Sequence, residues 1–143
     1  MADVSIARRL ALLGAVLVLL GLLLGLVSSG MANPRMGLAS HLAALTGGTL
    51  LIALGAAWVH VRLSAKAESA TFWLLAYGSL ANWLATLLAA IWGAGQANMP
   101  LAAGAHQAQP WQEVLVTALL ISLSLALVLA VGLVIKGLLA RRA

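Results

Sequence analysis

Residues 10–27 read LALLGAVLVLLGLLLGLV, eighteen positions without a charge or a proline. At about 1.5 Å per residue, such a run nearly covers the ~30 Å hydrocarbon core of a bilayer as a helix. Three more apolar runs follow, from about Leu38 to Val61, from about Ala70 to Gly93 and from Trp111 to about Ile135. Each must satisfy its backbone N–H and C=O groups internally when water is absent, and the helix does this within a single segment. The expected fold is therefore all-α: one domain spanning 1–143, with four transmembrane helices near 8–29, 38–62, 70–93 and 111–138.

Composition agrees. Of 143 residues, 64% are hydrophobic and 8% charged, against roughly 45–50% and ~25% in soluble domains. A water-soluble fold has no way to hide that much apolar surface, so the lipid bilayer is the expected partner. The absence of Cys excludes disulfides, thiolate-ligated haem, iron–sulfur clusters and Cys-based zinc sites.

The net charge of +5 does not point to nucleic acid, because the basic residues flank the apolar runs. Arg8 and Arg9 precede the first, Arg62 and Lys66 separate the second from the third, and Lys136, Arg141 and Arg142 close the chain. In an even-numbered topology these seven share one side, and Arg35 alone lies on the other. The positive-inside rule then makes both termini cytoplasmic, in a multi-pass protein of the inner (plasma) membrane. Trp58 and Trp73 are expected at the cytoplasmic interface, and Trp92 and Trp111 at the outer one. Arg8-Arg9 before an apolar stretch also suits a signal peptide, but eighteen apolar residues exceed the usual h-region of roughly 7–15. The segment reads as a retained helix.

The connections are short except one. Asn33-Pro34 signals a turn, and Ser64–Ser69 is a brief polar turn. Between Gly93 and Trp111 lies a Gly/Ala/Gln-rich loop with Pro100, His106 and Pro110, long enough to fold over the outer face.

Sorting the helices at ~100° per residue gives each one a small or polar stripe. The stripes are Gly14, Gly21, Gly25 and Ser28; then His41, Ala44, Gly48 and Gly55. On the third helix Gly78, Ser79, Asn82, Ala85, Thr86, Ala89 and Gly93 lie opposite Trp73, Leu80, Leu84, Leu87 and Ile91. On the fourth, Glu113, Thr117 and Ser124 align. Small residues mark close helix–helix contact in lipid, so the glycines read first as packing seams. Intramembrane polar residues cost on the order of 1–3 kcal/mol on insertion scales and usually have a partner or a task. His41, Asn82, Thr86, Glu113 and Arg35 converge in the outer half, which makes that half the candidate site.

Each of these has two readings. His41 is either a histidine bonded to a neighbouring carbonyl or a ligand, with Gly48 and Gly55 leaving a flat slot for a planar group. Asn82 either joins helices or meets substrate. Glu113 reads by default as a carboxylate at its own helix N-terminus. Arg35 faces headgroups or an acidic cofactor group. His60 reads as wetted near the interface, and His106 as solvated or capping the site. No P-loop, no G-x-G-x-x-G before a helix, no H-E-x-x-H and no Ser-His-Asp pattern is present.

The stretch Asn33-Pro34-Arg35-Met36-Gly37-Leu38-Ala39-Ser40-His41-Leu42 resembles the hydroxylaminobenzene mutase family. The likeness continues through Gly48-Thr49-Leu50-Leu51-Ile52-Ala53-Leu54-Gly55, Asn82-Trp83-Leu84-Ala85, Trp92-Gly93-Ala94-Gly95 and Gln112-Glu113, in order along most of the chain. It implies an isomerase that rearranges an aryl hydroxylamine to an aminophenol with no net redox change. The chain is more distantly similar to styrene oxide isomerase. That similarity implies ferric haem b ligated by a His at the head of the second helix, subunit contacts in a trimer, and third-helix residues facing the substrate. Carried over by position, His41 is the metal ligand and Asn82 the third-helix residue facing the substrate; beside them Arg35 and Gly48 are expected to contact the cofactor, and Thr86 to assist Asn82 in catalysis. Two positions depart from that pattern: Gly47 stands where the relatives have Asn, and Thr86 where they have Tyr. These departures make an epoxide isomerase the alternative and an aryl hydroxylamine mutase, acting on a small apolar aryl substrate, the leading reading.

Functions of other classes are weighed against these. A four-helix transporter wants an intramembrane carboxylate, and Glu113 at the interface is a poor fit. An electron-transfer cytochrome wants paired His ligands on facing helices. A haem-free structural subunit is the third alternative.

Overall fold

The computed structural model describes residues 4–140; the expectation that Arg141 and Arg142 join the basic end lies outside these. Four long helices are long and apolar enough to cross a membrane. They are α1 (Val4–Val27), α2 (Pro34–Ala57), α3 (Ala65–Trp92) and α5 (Pro110–Leu139), with one short helix, α4 (Pro100–Ala103), in the long loop. Arg8, Arg9, Arg62, Lys66 and Lys136 lie at one end, called here the basic end. Arg35 and residues 93–109 lie at the other, the loop end.

Helix boundaries follow from capping, and this is where they depart from the expected spans. Asn33 is the N-cap of α2: its Oδ1 accepts the N–H groups of Arg35 (3.1 Å) and Met36 (3.2 Å). Pro34 occupies the first helical position, where its missing N–H costs nothing. The turn signal is therefore a helix start, four residues before position 38. Likewise Ser64 caps α3, accepting from Ala67 N–H at 3.4 Å, so the polar Ser64–Ser69 stretch is mostly first helical turn. Gly93 ends α3 in the left-handed region (φ 72°), its N–H reaching Ala89 O at 2.9 Å. Single 3₁₀ turns, Ser28–Gly30 and Trp58–His60, finish α1 and α2.

The long helices pack in sequence: α1 on α2, α2 on α3, α3 on α5. The α1–α2 seam is built from glycines. A methyl group at Gly14 would lie 2.5 Å from the Gly48 carbonyl oxygen, and one at Gly48 would lie 2.6 Å from the Gly14 carbonyl oxygen. Gly21 meets Ala44, and Gly55 meets Ala7 and Ala11. Lipid offers no hydrophobic drive between helices, so this backbone-to-backbone approach is itself the source of attraction. The α3–α5 contact is of another kind, with the Leu127 side chain seated over Gly78.

At the basic end all four long helices share a core of Ile6, Leu10, Leu51, Trp58, Phe72, Leu75, Ala130 and Val134. The turn after α2 is fixed there by Arg62 N–H to Gly137 O at 3.0 Å. Trp58 is fully buried in this core and so is not the interfacial belt residue the sequence suggested. Trp73, 64% exposed, lies on the outward face of α3 with Leu84 and Ile91. The hydroxyls of Thr46 and Thr49, exposed on α2, donate to the carbonyls of Leu42 and Leu45, which lets them face lipid without an unpaired proton.

Candidate functional site

His41 sits on the third turn of α2, and glycines on the neighbouring helix make its place. A Cβ at Gly25 would lie 2.8 Å from its Nδ1 and 2.9 Å from its Cε1, so the ring lies against bare α1 backbone. Nδ1 is 2.7 Å from Gly21 O. A carbonyl has no proton to give, so Nδ1–H donates, and the neutral ring carries its lone pair on Nε2. No hydrogen bond to Nε2 exists among the described residues. Both readings of this residue therefore meet in one ring: one nitrogen is bonded to a carbonyl, and the other is left free for a ligand.

The slot expected beside Gly48 is filled by α1. A methyl group on Gly48 would lie 2.6 Å from Gly14 O and 2.7 Å from Val18 Cγ2, so no planar group fits there. Gly48 serves the seam that carries Gly21 and Gly25 to His41. Arg35 donates from Nη1 to Leu101 O at 2.6 Å, tying the start of α2 to the long loop.

On α3, Asn82 is level with His41. Ser40, the residue before His41, donates from Oγ to the carbonyl of Trp83, the residue after Asn82, at 3.1 Å. Depth is shared, but direction is not: Ser40 faces α3, and His41, ~100° further round, faces α1. Asn82 is half-buried and its carboxamide has no hydrogen-bond partner among the described residues. Thr86, one turn on, is buried, and its hydroxyl donates to Asn82 O (2.8 Å) and Trp83 O (3.0 Å). Its proton is thus committed to its own helix, leaving only lone pairs for a ligand. Two buried donors nearby, Ser79 Oγ and Trp83 Nε1, also lack partners in the described chain.

The loop end closes over this level through polar contacts that sequence reasoning largely missed. Asn33, 1% exposed, donates from Nδ2 to Ala102 O (2.9 Å) and Ala103 O (3.3 Å), and its N–H meets Ala90 O at 2.9 Å. Glu113 does not cap its own helix. Its carboxylate accepts Gly95 N–H at 2.9 and 3.1 Å and Gln96 N–H at 3.4 Å. The α5 start is instead closed by Gln109 and Gln112. Gln96 Nε2 holds Gly104 O and His106 O, and Asn98 Nδ2 donates to Thr117 Oγ1 at 2.7 Å. Trp92 and Trp111 meet edge to face, 5.2 Å between centroids. His106 is exposed and uses Nδ1 on Ala103 O; His60 is exposed at the basic end. Neither joins His41. The length of the Gly93–Trp111 loop and the alignment of Glu113 with Thr117 along α5, both of which bond that loop, were the sequence signals for this cap.

Among the described residues no group of three or more His, Cys, Asp or Glu is placed to hold a metal ion. What the arrangement offers is one free imidazole nitrogen on α2, one free carboxamide on α3 at the same depth, and a tied polar cap above them.

The family model described as styrene oxide isomerase matches residues 6–139. Hydroxylaminobenzene mutase HabB of Ectopseudomonas oleovorans is 49% identical over 136 residues, covering 95% of this chain and 83% of that protein. Hydroxylaminobenzene mutase HabA of the same organism is 48% identical over 126 residues, covering 88% and 93% respectively. No solved structure matches the chain.

Proposed function

The chain belongs to the styrene oxide isomerase family and is a membrane isomerase, and from that premise we propose that it rearranges an aryl hydroxylamine such as hydroxylaminobenzene to 2-aminophenol. The observation that carries this is the 49% identity, over 95% of the chain, to a protein named for that reaction. Substrate and product are isomers. The N–O bond breaks, oxygen bonds to the ortho carbon, and the proton lost from that carbon balances the one gained by nitrogen. No external oxidant or reductant takes part.

The reading includes haem b, with His41 as the one protein ligand. His41 suits that role because its Nδ1–H is anchored on Gly21 O and its Nε2 is free; a ligating His commonly fixes its other nitrogen on a carbonyl in this way. When bound, ferric haem supplies a Lewis acid for the N–O oxygen.

The chain's own residues do the rest. The Asn82 carboxamide, free to donate and accept, orients the hydroxylamine. Thr86, its proton already committed, accepts from the substrate N–H. Arg35, held at Leu101 O, would be the residue to pair with an acidic group of the cofactor. Gly48 acts through packing, by letting α1 approach. The cap over the loop end keeps water from the cation-like ring intermediate.

The reading extends to a homo-oligomer, a trimer by family likeness, in the inner membrane with cytoplasmic termini. The clustering of Arg8, Arg9, Arg62, Lys66 and Lys136 opposite Arg35 supports that orientation. In favour of subunit contacts, the His41 ring faces α1 and not α3, the helix that carries Asn82.

Purified protein in lipid nanodiscs, given phenylhydroxylamine without redox partners, is expected to accumulate 2-aminophenol. Absence of aminophenol would overturn the mutase reading. A second reading, epoxide isomerisation, follows from the family model's description; conversion of styrene oxide but not of phenylhydroxylamine would select it.

A further inference from the structure

Beneath residues 98–99 an open groove of about 390 Å³ runs along α5, lined by Asn98, Met99, Leu120, Ile121, Ser124 and Leu125. We propose that this groove is a binding site for the small aryl substrate or product, reached sideways from the bilayer, with the Asn98 carboxamide taking the polar end. The proposal rests on the mutase reading for the ligand's chemistry and on the groove for its place.

The walls suit an aromatic ring. Leu120, Ile121 and Leu125 are apolar, and Ser124 spends its hydroxyl proton on Leu120 O at 2.7 Å. The roof suits a polar substituent. Asn98 gives one N–H to Thr117 Oγ1, which fixes the amide plane, while its other N–H and its carbonyl oxygen have no protein partner among the described residues. A donor and an acceptor side by side complement –NHOH, and equally the amino and hydroxyl groups of an aminophenol.

Size argues in the same direction. Residues 120–125 span roughly 7.5 Å of helix at ~1.5 Å per residue, enough for a ring with one substituent. A cavity of about 150 Å³ already holds benzene. A lipid acyl chain is far longer and would meet Asn98 and Met99 as an end wall.

The roof is held by Glu113. Its carboxylate accepts the Gly95 and Gln96 N–H groups, and Gly95 O in turn accepts Met99 N–H at 2.8 Å. Gly95 has φ 123°, a conformation that an L side chain rarely adopts, so the turn depends on glycine. Glu113 is thus a positioning residue for Asn98 and Met99. The inner wall leads to the proposed chemistry: Leu120 packs in one cluster with Ala89 and Ala90 and in another with Ala81 and Ala85, and these flank Asn82 and Thr86 along α3.

Photolysis of the protein in nanodiscs with phenyl azide, followed by peptide mapping, tests the site without using turnover. Label is expected on residues 98–99 and 120–125 and should be displaced by 2-aminophenol. Ser124→Trp, which fills the groove, should cut that label and raise KM for phenylhydroxylamine roughly tenfold, about 1.4 kcal/mol of binding, with kcat within about twofold. Asn98→Leu should raise KM by roughly fivefold, the worth of about one hydrogen bond. Leu12→Trp, on the exposed face of α1, which contributes nothing to the groove lining, should change neither. Label scattered over lipid-facing residues, label not displaced by 2-aminophenol, or unchanged KM in Ser124→Trp would each overturn the proposal. A wild-type protein that takes label here yet forms no aminophenol would leave the groove standing and remove the mutase reading.

Discussion

Helices α1 and α2 meet backbone to backbone, Gly14 against Gly48, whereas α3 and α5 meet through side chains, Leu127 over Gly78. The first pair has almost no freedom, because a carbonyl oxygen cannot move aside as a side chain does. It holds the His41 ring by a 2.7 Å bond to Gly21 O. The second pair is looser and more polar. Tyr77 donates to Ser122 Oγ at 2.6 Å, and Ser122 passes its own proton to Leu119 O; a groove opens nearby. A rigid half that fixes one nitrogen, next to an adaptable half that receives a ligand, is the division of labour an isomerase of this kind needs.

Substitutions that exchange the two characters should have unequal effects. Gly48→Leu forces a branched side chain onto the Gly14 carbonyl and is expected to lose more than the ~1–3 kcal/mol typical of overpacking, since backbone must move. Thermal unfolding in detergent measures this, and an unchanged midpoint would show the seam to be soft. Asn82→Ala, on the adaptable side, should leave the fold and absorption spectrum intact while lowering kcat by roughly 10–100-fold, the worth of one hydrogen bond to a group that carries charge. Kinetics equal to wild type would reduce Asn82 to a packing residue.

Glu113→Ala removes acceptors for Gly95 and Gln96 N–H and should cost about 1.5–3 kcal/mol of local stability, as for hydrogen bonds to a charged group. Hydrogen exchange at residues 95–99 should quicken while that of the α1–α2 seam does not. Equal exchange in both regions would contradict the division. Tyr77→Phe should have the smallest effect, about 0.5–1 kcal/mol for one neutral hydrogen bond; a larger loss in thermal stability would mean that the α3–α5 contact is tighter than its packing suggests.

The membrane architecture was legible because apolar runs of bilayer length have few other solutions in water or lipid. The glycine seams were legible for a related reason: small residues at helical spacing leave room only for another helix. Gly48 shows the limit of that reasoning. Its spacing announced a flat surface on α2 but not what fills it, and α1 does. The helix starts at Asn33 and Ser64 were harder to place, because the polar residue that marks a turn is also the one that caps a helix. The cap was the least legible part. Glu113 bonds Gly95, eighteen residues away, and Asn33 reaches Ala102 across 69 residues. Neither spacing carries a periodic signal. His41 and Asn82 stand out by polarity inside apolar runs, but their shared depth emerges only with the Ser40–Trp83 bond.

The central claim is that one imidazole nitrogen, left free by the Gly21 bond, serves the rearrangement by holding haem. It is tested most directly by recording the visible spectrum and the phenylhydroxylamine turnover of the same purified samples, wild type and His41→Ala. The account predicts a Soret band and aminophenol formation in the wild type, and loss of both in the variant with helical content unchanged. A variant that keeps wild-type turnover, or an active wild type without a Soret band, would contradict it.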